Sequence, residues 1–243
     1  MRRAFTYCSP AHARYDGRVG KLSIVGTPIG NLEDITLRAL RTLKEADVIF
    51  CEDTRITKKL LSRYEIETPM RRLDANTEAK GGKEVIERLA DGEHVAYVTD
   101  AGTPGISDPG ARLVEAVRRA LGDSFPIEPI PGPSALTAAL SVAGVSGDSF
   151  LFLGFLPHKK GRLTALKEIA VTKRTVVLYE SPHRILKLLR ELKETIDERK
   201  VTVLRELTKT FESVHIGDSA DIAKFLDENK QVRGEFVVVI EPQ

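Results

Sequence analysis

The sequence predicts an α/β protein of two domains, with a mainly parallel sheet in the N-terminal half and a mixed sheet in the C-terminal half. From Lys21 onward, short apolar runs alternate with stretches whose apolar residues recur at helical spacing. The runs of the first half are continuously apolar, which is typical of parallel strands covered by helices on both faces. The chain of 243 residues is long enough to form two such domains.

The first half is predicted to contain four strands, at 22–25, 48–51, 95–98 and 127–130. A helix is predicted over 34–47 from its apolar spacing, and a second over 108–121. Asp108 is expected to be the N-cap of that second helix, with Pro109 at its first position. Residues 1–19 lack a periodic pattern, and we interpret them as a loose extension that precedes the first domain.

The second half is predicted to contain five strands, at 150–155, 175–179, 201–205, 211–217 and 235–240, and four helices, at 133–143, 162–171, 182–193 and 219–229. Ser181 and Pro182 repeat the N-cap and first-position pattern. Only five residues, Glu206 to Thr210, separate two of the strands, which indicates an antiparallel hairpin and therefore a mixed sheet.

The proline-rich segment at 131–134 is the natural boundary between the halves, which gives domains at 20–131 and 132–243. We expect a cleft between the two domains, because ligands often bind at domain junctions.

Composition and charge limit the class of protein. The net charge is +2, so no overall positive field points to nucleic acid, and any RNA contact must come from a local patch. Two cysteines cannot form a multi-bridge disulfide framework, and we recognise neither a secretion signal nor a run of about 20 apolar residues. We therefore expect a protein of the reducing cytoplasm that does not enter a membrane.

Three glycine-rich turns follow predicted strands, at 26–30, 99–110 and 131–134. Ligands sit at the carboxyl ends of strands in open α/β sheets, and glycine lets the backbone approach a ligand closely. Each turn can also be no more than a tight connection to the next helix. That alternative stays open for any single loop, although three such loops favour a ligand.

Several chemistries are excluded by these motifs. The first turn lacks the Gly-Lys-Ser/Thr of a P-loop and the G-x-G-x-x-G of a dinucleotide site, and Leu136 replaces the last glycine of a nucleophile elbow. The histidines are scattered, without zinc-ligand spacing. The remaining possibility is a ligand held by backbone and small side chains, such as an adenosyl group with an amino-acid tail. A sulfonium would favour nearby carboxylates such as Asp100 and Glu180.

Eight segments occur in the order GTPIGNLEDIT, CEDTR, VTDAGTPGISDPG, PGPSAL, GFLP, YESPHR, RELTKTFE and GEFVVVIE. Together they resemble the ribosomal RNA small-subunit methyltransferase I family, the 16S rRNA (cytidine-1402 2′-O)-methyltransferases. The resemblance runs from about Lys21 to Pro242. It implies the two-domain class III (tetrapyrrole methylase-like) fold, S-adenosyl-L-methionine as methyl donor, S-adenosyl-L-homocysteine as product, no metal, a homodimer, and 16S rRNA of the small ribosomal subunit as partner.

The resemblance also assigns site residues. The donor contacts that it implies are Pro28, Ala101, Gly102, Thr103, Ile106, Ser134, Ala135, Glu180 and Leu207, and our reading of the sulfonium adds Asp100. A ribose hydroxyl is a poor nucleophile, so a base should help the transfer. Glu52, His183 and Lys209 are possible here, but the catalytic residues that we predict are Asp53, Glu180 and Asp100. Arg55, Arg184 and Lys209 are predicted to bind RNA.

Two other functions remain open. The first is methylation of a corrin or porphyrin precursor by the same fold, although the chain has no tryptophan and only 6% aromatic residues to line a broad apolar site. The second is a non-catalytic protein that binds the donor and assists assembly of the small subunit. In that case the glycine-rich loops would be required and the carboxylates would not.

Overall fold

Five strands form the first sheet of the computed structural model, which describes residues 19–74, 78–196 and 198–243. They are β1 (Lys21–Val25), β2 (Val48–Cys51), β3 (Met70–Arg72), β4 (His94–Val98) and β5 (Ile127–Ile130). Their order in the sheet is β3-β2-β4-β1-β5, and every neighbouring pair is parallel. The predicted parallel sheet is therefore confirmed. The loose extension predicted at 1–19 lies, apart from Val19, outside the described residues.

Helices cover both faces of this sheet, as the continuously apolar strands predict. The helices are α1 (Leu37–Glu45), α2 (Thr54–Arg63), α3 (Glu78–Ala90) and α4 (Gly110–Leu121). On one face Leu43 of α1 and Leu60 of α2 pack in one buried cluster with Ile49. On the other face Leu89 of α3 and Leu113 of α4 are buried in the cluster that contains Tyr97.

The second sheet also has five strands among the described residues: β6 (Phe150–Phe155), β7 (Thr175–Glu180), β8 (Val201–Arg205), β9 (Ser213–Gly217) and β10 (Phe236–Ile240). Their order is β6-β7-β10-β8-β9. β6 and β7 are parallel, whereas the other three pairs are antiparallel. This confirms the predicted mixed sheet and the β8–β9 hairpin.

The helices of the second sheet are α5 (Ala135–Val142), α6 (Arg162–Val171), α7 (Ile185–Lys193) and α8 (Ser219–Glu228). Helices α6, α7 and α8 bury their apolar residues against one face, in a cluster with Leu178 and Val238. Helix α5 packs on the opposite face, where Leu136 and Ala139 meet Val177 and Leu204. The two faces of this sheet therefore differ in what they can present to a ligand.

Three elements were not predicted: α2, β3 and α3. Strand β3 is a short edge strand in which two of three residues are arginines, so its sequence carries no apolar run. Helix α2 contains the polar segment Thr57-Lys58-Lys59, and α3 contains Gly81-Gly82, which lowers helix propensity.

The starts of α1, α4, α5 and α7 were also predicted too early, whereas those of α6 and α8 are confirmed. Helix α1 begins at Leu37, because the Thr36 side chain caps it by accepting the backbone N–H of Ala39. The predicted N-cap Ser181 instead begins a turn, and α7 starts at Ile185. Helix α4 starts at Gly110, with Pro109 in front of it, so Asp108 is not the N-cap residue.

The described residues divide into two compact units. One contains the chain up to Pro28 together with Leu32–Pro133, and the other contains Ile29–Asn31 together with Ser134–Gln243. Within the described ranges, every helix is too short or too polar to cross a membrane.

Candidate functional site

The loops that follow β1, β2, β4 and β5 meet at one edge of the first sheet, because all its strands are parallel. Thr27 and Gly102 join two of these loops by a two-way backbone link: each N–H donates to the other residue's carbonyl at 3.0 Å. The Thr27 hydroxyl also donates to the Thr99 carbonyl at 3.3 Å. The first glycine-rich turn and the loop after β4 thus form one surface.

The turn after β5 joins the same surface through two glycines. A Cβ atom on Gly132 would lie 2.7 Å from the Gly26 carbonyl oxygen, so only glycine allows this approach. The Thr103 hydroxyl donates to the Pro133 carbonyl at 3.2 Å. All three glycine-rich turns that the sequence singled out therefore contact one another in the first unit.

Asp108 shapes the loop between β4 and α4. Its carboxylate accepts the backbone N–H groups of Gly105 at 2.8 Å, Ile106 at 3.0 Å and Gly110 at 2.7 Å. Gly105 has φ +91° and Ser107 has φ +68°, which places both in the left-handed region. Although Asp108 is not the N-cap residue of α4, its side chain still satisfies the first N–H of that helix and fixes the loop internally.

Asp100 and Glu52 link the ends of β2 and β4. Asp100 Oδ1 accepts the backbone N–H of Asp53 at 3.0 Å, and the Asp100 N–H points to Glu52 Oε1 at 3.4 Å. Burial raises the pKa of Glu52, and the charge of Asp100 raises it further. Burial also raises the pKa of Asp100, more than the Asp53 N–H lowers it. The geometry therefore holds two carboxyl groups whose ionised forms are destabilised.

Asp53 has the opposite electrostatic environment. It is the N-cap of α2, where its carboxylate accepts the Arg55 backbone N–H at 2.8 Å and the Arg55 Nε at 3.0 Å. The side-chain hydrogen bond from Arg55 is the largest cause that holds the pKa of Asp53 well below its ordinary value. Asp53 and Arg55, both predicted to act on the substrate, thus form an ion pair with each other.

A pocket opens beside these loops. Its walls combine polar groups of the β1 and β4 loops with apolar side chains of α2 and of the short 3-10 helix Leu32–Asp34, which precedes α1. The lining residues are Thr27, Pro28, Leu32, Ile56, Thr57, Leu60, Thr99 and Asp100. The pocket therefore contains two of the predicted donor contacts, Pro28 and Asp100. Of the others, Gly102 is buried under the Thr27 link, whereas Ala101 and Ile106 are exposed.

In the second unit, Ser134 and Ala135 stand at the start of α5, near Tyr179 of β7. Burial, the largest effect, raises the pKa of the Tyr179 hydroxyl, while hydrogen bonding with the Leu136 backbone and the Ser134 side chain lowers it. Leu207 is partly buried against the same apolar cluster. Tyr179 is a site neighbour that the sequence reasoning missed, and its position beside Glu180 in YESPHR was the available signal.

Glu180 lies on the other face of the second sheet from Tyr179, because neighbouring residues of a strand alternate between faces. It is paired in register with Phe236, which belongs to the cluster under α6, α7 and α8. Its Oε1 accepts the Ser181 N–H and contacts the Arg184 guanidinium, both at 2.7 Å. Oε2 is buried without a hydrogen-bond partner among the described residues. The structure therefore does not bring Glu180 to Ser134 and Ala135.

Lys209 lies in the β8–β9 turn between two carboxylates. Its Nζ lies 2.9 Å from Glu206 Oε1 and 2.9 Å from Glu235 Oε2. Burial by itself would raise the pKa of Glu206, but hydrogen bonds from the Glu235 N–H and from Lys209 hold it below its ordinary value. Lys209 thus closes the turn by ion pairs within the second unit.

Comparison with known proteins agrees with this fold. Residues 21–223 match the sequence model of the Tetrapyrrole (Corrin/Porphyrin) Methylases. The chain is 45% identical over 222 residues to "Ribosomal RNA small subunit methyltransferase I" of Thermotoga maritima, covering 91% of this chain and 98% of that one. It is 44% identical over 223 residues to the protein of the same name from Halalkalibacterium halodurans, covering 91% and 76%.

A solved structure shares the fold. The uroporphyrin-III C-methyltransferase from Thermus thermophilus, complexed with S-adenyl homocysteine, superposes with a TM-score of 0.63 at 18% identity, covering 91% of this chain and 97% of that one. The two sequence relatives are related to this chain more closely than the solved structure is, because their sequence identity is well above the level at which only a fold is shared. The chain is therefore a methyltransferase that belongs to the tetrapyrrole (corrin/porphyrin) methylases and, among them, to the ribosomal RNA small subunit methyltransferase I family.

Proposed function

We propose that this methyltransferase transfers the methyl group of S-adenosylmethionine to the 2′-hydroxyl of a cytidine ribose in 16S rRNA of the small ribosomal subunit. The methyl carbon leaves the sulfonium sulfur and bonds to the ribose oxygen, whose proton passes to a base. S-adenosylhomocysteine is the second product. The names of the relatives support the rRNA substrate, the fold neighbour bound to S-adenyl homocysteine supports the donor, and the 2′-O position rests on the sequence resemblance.

The observation that carries this proposal is the pocket shared by Pro28 and Asp100 at the carboxyl edge of the first sheet. The Thr27–Gly102 link fixes the two loops that supply them. Its lining includes the Asp100 carboxylate, whose negative charge can attract a sulfonium. We propose that Pro28, Asp100, Ala101, Gly102, Thr103 and Ile106 bind the donor in this unit.

For the second unit we propose Ser134, Ala135 and Leu207 as donor contacts, which all lie on the α5 side of the second sheet. Glu180 remains proposed on the resemblance alone. The contacts of its Oε1 with the Ser181 N–H and with Arg184 suit a residue that holds the end of β7 in place.

Positioning supplies much of the acceleration in an in-line methyl transfer, and well-aligned reactants can lower a barrier by roughly 7–11 kcal/mol. Among the proposed catalytic carboxylates, Asp100 fits a base best, because burial raises its pKa toward the working pH. Asp53 fits less well, since Arg55 stabilises its ionised form. The reaction that we propose uses no metal ion.

We further propose that the enzyme works in the cytoplasm, where its rRNA substrate is made, and that it is a homodimer. The mass measured by light scattering at low protein concentration tests the second statement. A monomer mass at micromolar concentration would contradict it.

A transfer assay tests the function directly. The protein is incubated with methyl-labelled S-adenosylmethionine and, separately, with undermethylated small subunits, free 16S rRNA and a tetrapyrrole precursor. We expect the label in a dinucleotide that alkali does not cleave, because a 2′-O-methyl group blocks cleavage of the adjacent phosphodiester bond, and at a single cytidine. Label only on the tetrapyrrole would refute the rRNA substrate, and donor binding without any transfer would support the non-catalytic alternative.

A further inference from the structure

We propose that the segment 155–161, which ends β6 and leads into α6, contacts the RNA substrate: Phe155 stacks on an unpaired base, and Lys159 and Lys160 bind its phosphates. We call this segment the 155–161 loop. The inference rests on the proposed function, because it takes RNA as the substrate. It assigns a binding role to residues that the sequence reasoning did not select.

The cations selected from the sequence are already engaged by carboxylates. Arg55 pairs with Asp53, Arg184 pairs with Glu180, and Lys209 pairs with both Glu206 and Glu235. A paired cation must give up its carboxylate, or share it, before it can bind a phosphate. Since affinity for RNA comes mainly from cations that neutralise phosphates, unpaired ones are the better candidates.

Lys159 and Lys160 are such cations. Both side chains are exposed, and neither forms an ion pair with any residue in the part of the chain that the structure describes. His158 beside them is exposed as well, and the 155–161 loop contains no acidic residue. Two adjacent uncompensated charges thus stand on one short turn.

Phe155 supplies an aromatic surface at the same turn. It is 51% exposed, which is unusual for a phenylalanine, and its ring centre lies 5.7 Å from that of Tyr179 in an edge-on arrangement. Tyr179 in turn packs against Phe152 with ring centres 4.9 Å apart. The Phe155 ring is therefore supported from one side and open to solvent on the other, as a base-stacking platform requires.

Two arginines, Arg162, which is buried, and Arg184, which is partly buried, hold the backbone of the loop. Arg184 Nη1 donates to the Leu156 carbonyl at 2.9 Å, and Arg162 Nη1 donates to the Pro157 carbonyl at 3.2 Å. Each arginine is neutralised by its own glutamate: Arg162 lies 2.6 Å from Glu191, and Arg184 lies 2.7 Å from Glu180. Because these partners stabilise the backbone of the loop, its lysines need not serve the fold.

The chemistry selects the kind of RNA. Bases inside a helix are stacked on each other, and sequence-specific contacts to RNA are made mostly on unpaired bases that stack on aromatic side chains. A platform beside two phosphate-binding lysines therefore fits a single-stranded segment that passes over the loop. We take the stretch that flanks the methylated cytidine as that segment.

The experiment compares two double variants that remove the same charge. Lys159→Gln/Lys160→Gln changes the loop, whereas Lys173→Gln/Arg174→Gln changes two exposed cations ahead of β7. Because β6 and β7 are parallel, residues 173–174 lie at the opposite end of the strands from the loop. Binding to a single-stranded 16S rRNA fragment is measured by filter retention at several salt concentrations, together with S-adenosylmethionine affinity and the KM for RNA.

We expect the loop variant to bind RNA more weakly. The plot of the log of the RNA association constant against log salt should become less steep, its negative slope shrinking in magnitude by about 1.4, the value for two phosphates on a single strand. The matched variant should leave the slope unchanged. Phe155→Ala should weaken RNA binding by about 5- to 150-fold, the range measured for loss of one stacked base, while Phe155→Trp should retain it. Donor affinity should not change in any of these variants.

The outcomes separate the two proposals. Equal effects of the loop and matched variants would overturn the 155–161 loop as an RNA contact. A loss seen only on assembled subunits, with naked rRNA bound normally, would overturn it in favour of a ribosomal protein partner. If the wild-type enzyme binds RNA but methylates only the tetrapyrrole, the proposed function fails, and the binding comparison still decides the role of the loop.

Discussion

Asp100 Oδ1 accepts the backbone N–H of Asp53 across 3.0 Å, so that a side chain at the end of β4 fixes the end of the neighbouring strand β2. The same carboxylate lines the pocket that Pro28 shares. One oxygen thus has a structural role, while the negative charge is available to a cationic ligand. Substitutions can separate these two roles.

Asp100→Asn keeps an acceptor for the Asp53 N–H but removes the charge. We expect the affinity for S-adenosylmethionine to fall by about tenfold or more, and the affinity for the uncharged thioether S-adenosylhomocysteine to fall much less. Calorimetric titration of both ligands measures the difference. Asp100→Ala, by contrast, should also lower the free energy of unfolding by about 1–3 kcal/mol, because the Asp53 N–H loses its acceptor. Equal losses for both ligands in Asp100→Asn would show that the carboxylate does not act on the sulfonium.

Glu52 should make stability depend on pH. Burial and the Asp100 charge raise its pKa above the ordinary value of 4.5, so the folded protein holds the Glu52 proton more tightly than the unfolded chain does. The stability from this proton is fully present below the ordinary pKa and is lost as the pH rises through the raised one. Glu52→Gln cannot ionise, and we expect it to gain unfolding free energy over the wild type near pH 7 but not near pH 4, as measured by urea denaturation.

The control for this measurement is Glu67→Gln, an exposed glutamate of the same unit. Its difference from the wild type should be small and similar at both pH values. A Glu52→Gln protein that is no more stable than the wild type near pH 7, relative to pH 4, would contradict the raised pKa.

Arg184 and Glu180 should behave as a buried pair. Arg184→Met leaves the fully buried Glu180 without its cation and should lower the free energy of unfolding by about 3–5 kcal/mol. Glu180→Met/Arg184→Met removes both charges and should recover a large part of that loss. Chemical denaturation of Arg184→Met, Glu180→Met and the double variant gives the coupling energy. Additive losses would mean that the pair does not act as a unit, and methyl transfer by a stable double variant would exclude Glu180 as a catalytic residue.

Gly132→Ala should disturb the proposed donor site by a steric clash, without any change of charge. The new Cβ would press on the Gly26 carbonyl at 2.7 Å and force the first and third glycine-rich turns apart. We expect weaker binding of S-adenosylmethionine together with a lower melting temperature. Gly147→Ala is the matched control, since a Cβ there meets open space within the described structure. Normal donor affinity in Gly132→Ala would show that the close approach of these turns is not needed for binding.

All strands except β3 were predictable, because strands that are buried in a sheet have apolar runs in the sequence. The 48–51 and 127–130 strands begin and end where predicted. The polar α2 and the arginine-rich edge strand β3 were not, since each is stabilised by neighbours distant in sequence rather than by its own pattern. The turn that Ser181 begins was mistaken for a helix start, because a Ser-Pro pair suits both.

The loops that form the candidate site were predictable, but the pairing of its charged side chains was not. The three glycine-rich turns could be found because glycine and proline mark backbone geometry directly. The carboxylates that neutralise Arg184 and Lys209 could not, since whether a residue four positions away or on another strand reaches a cation depends on the fold. The sequence therefore identified candidate RNA-binding cations, and only the structure showed which of them form ion pairs with carboxylates.

The anchoring of the Leu156 and Pro157 carbonyls by Arg184 and Arg162 has a consequence for how this protein can be altered. A loop whose main chain is held by side chains outside its tip tolerates changes at the tip without a new backbone conformation. Residues 158–160 can therefore be exchanged for those of a relative, as a cassette, while both arginines and their glutamates are retained. The phosphate contacts that we propose for Lys159 and Lys160 could then be changed while the backbone that carries them keeps its conformation.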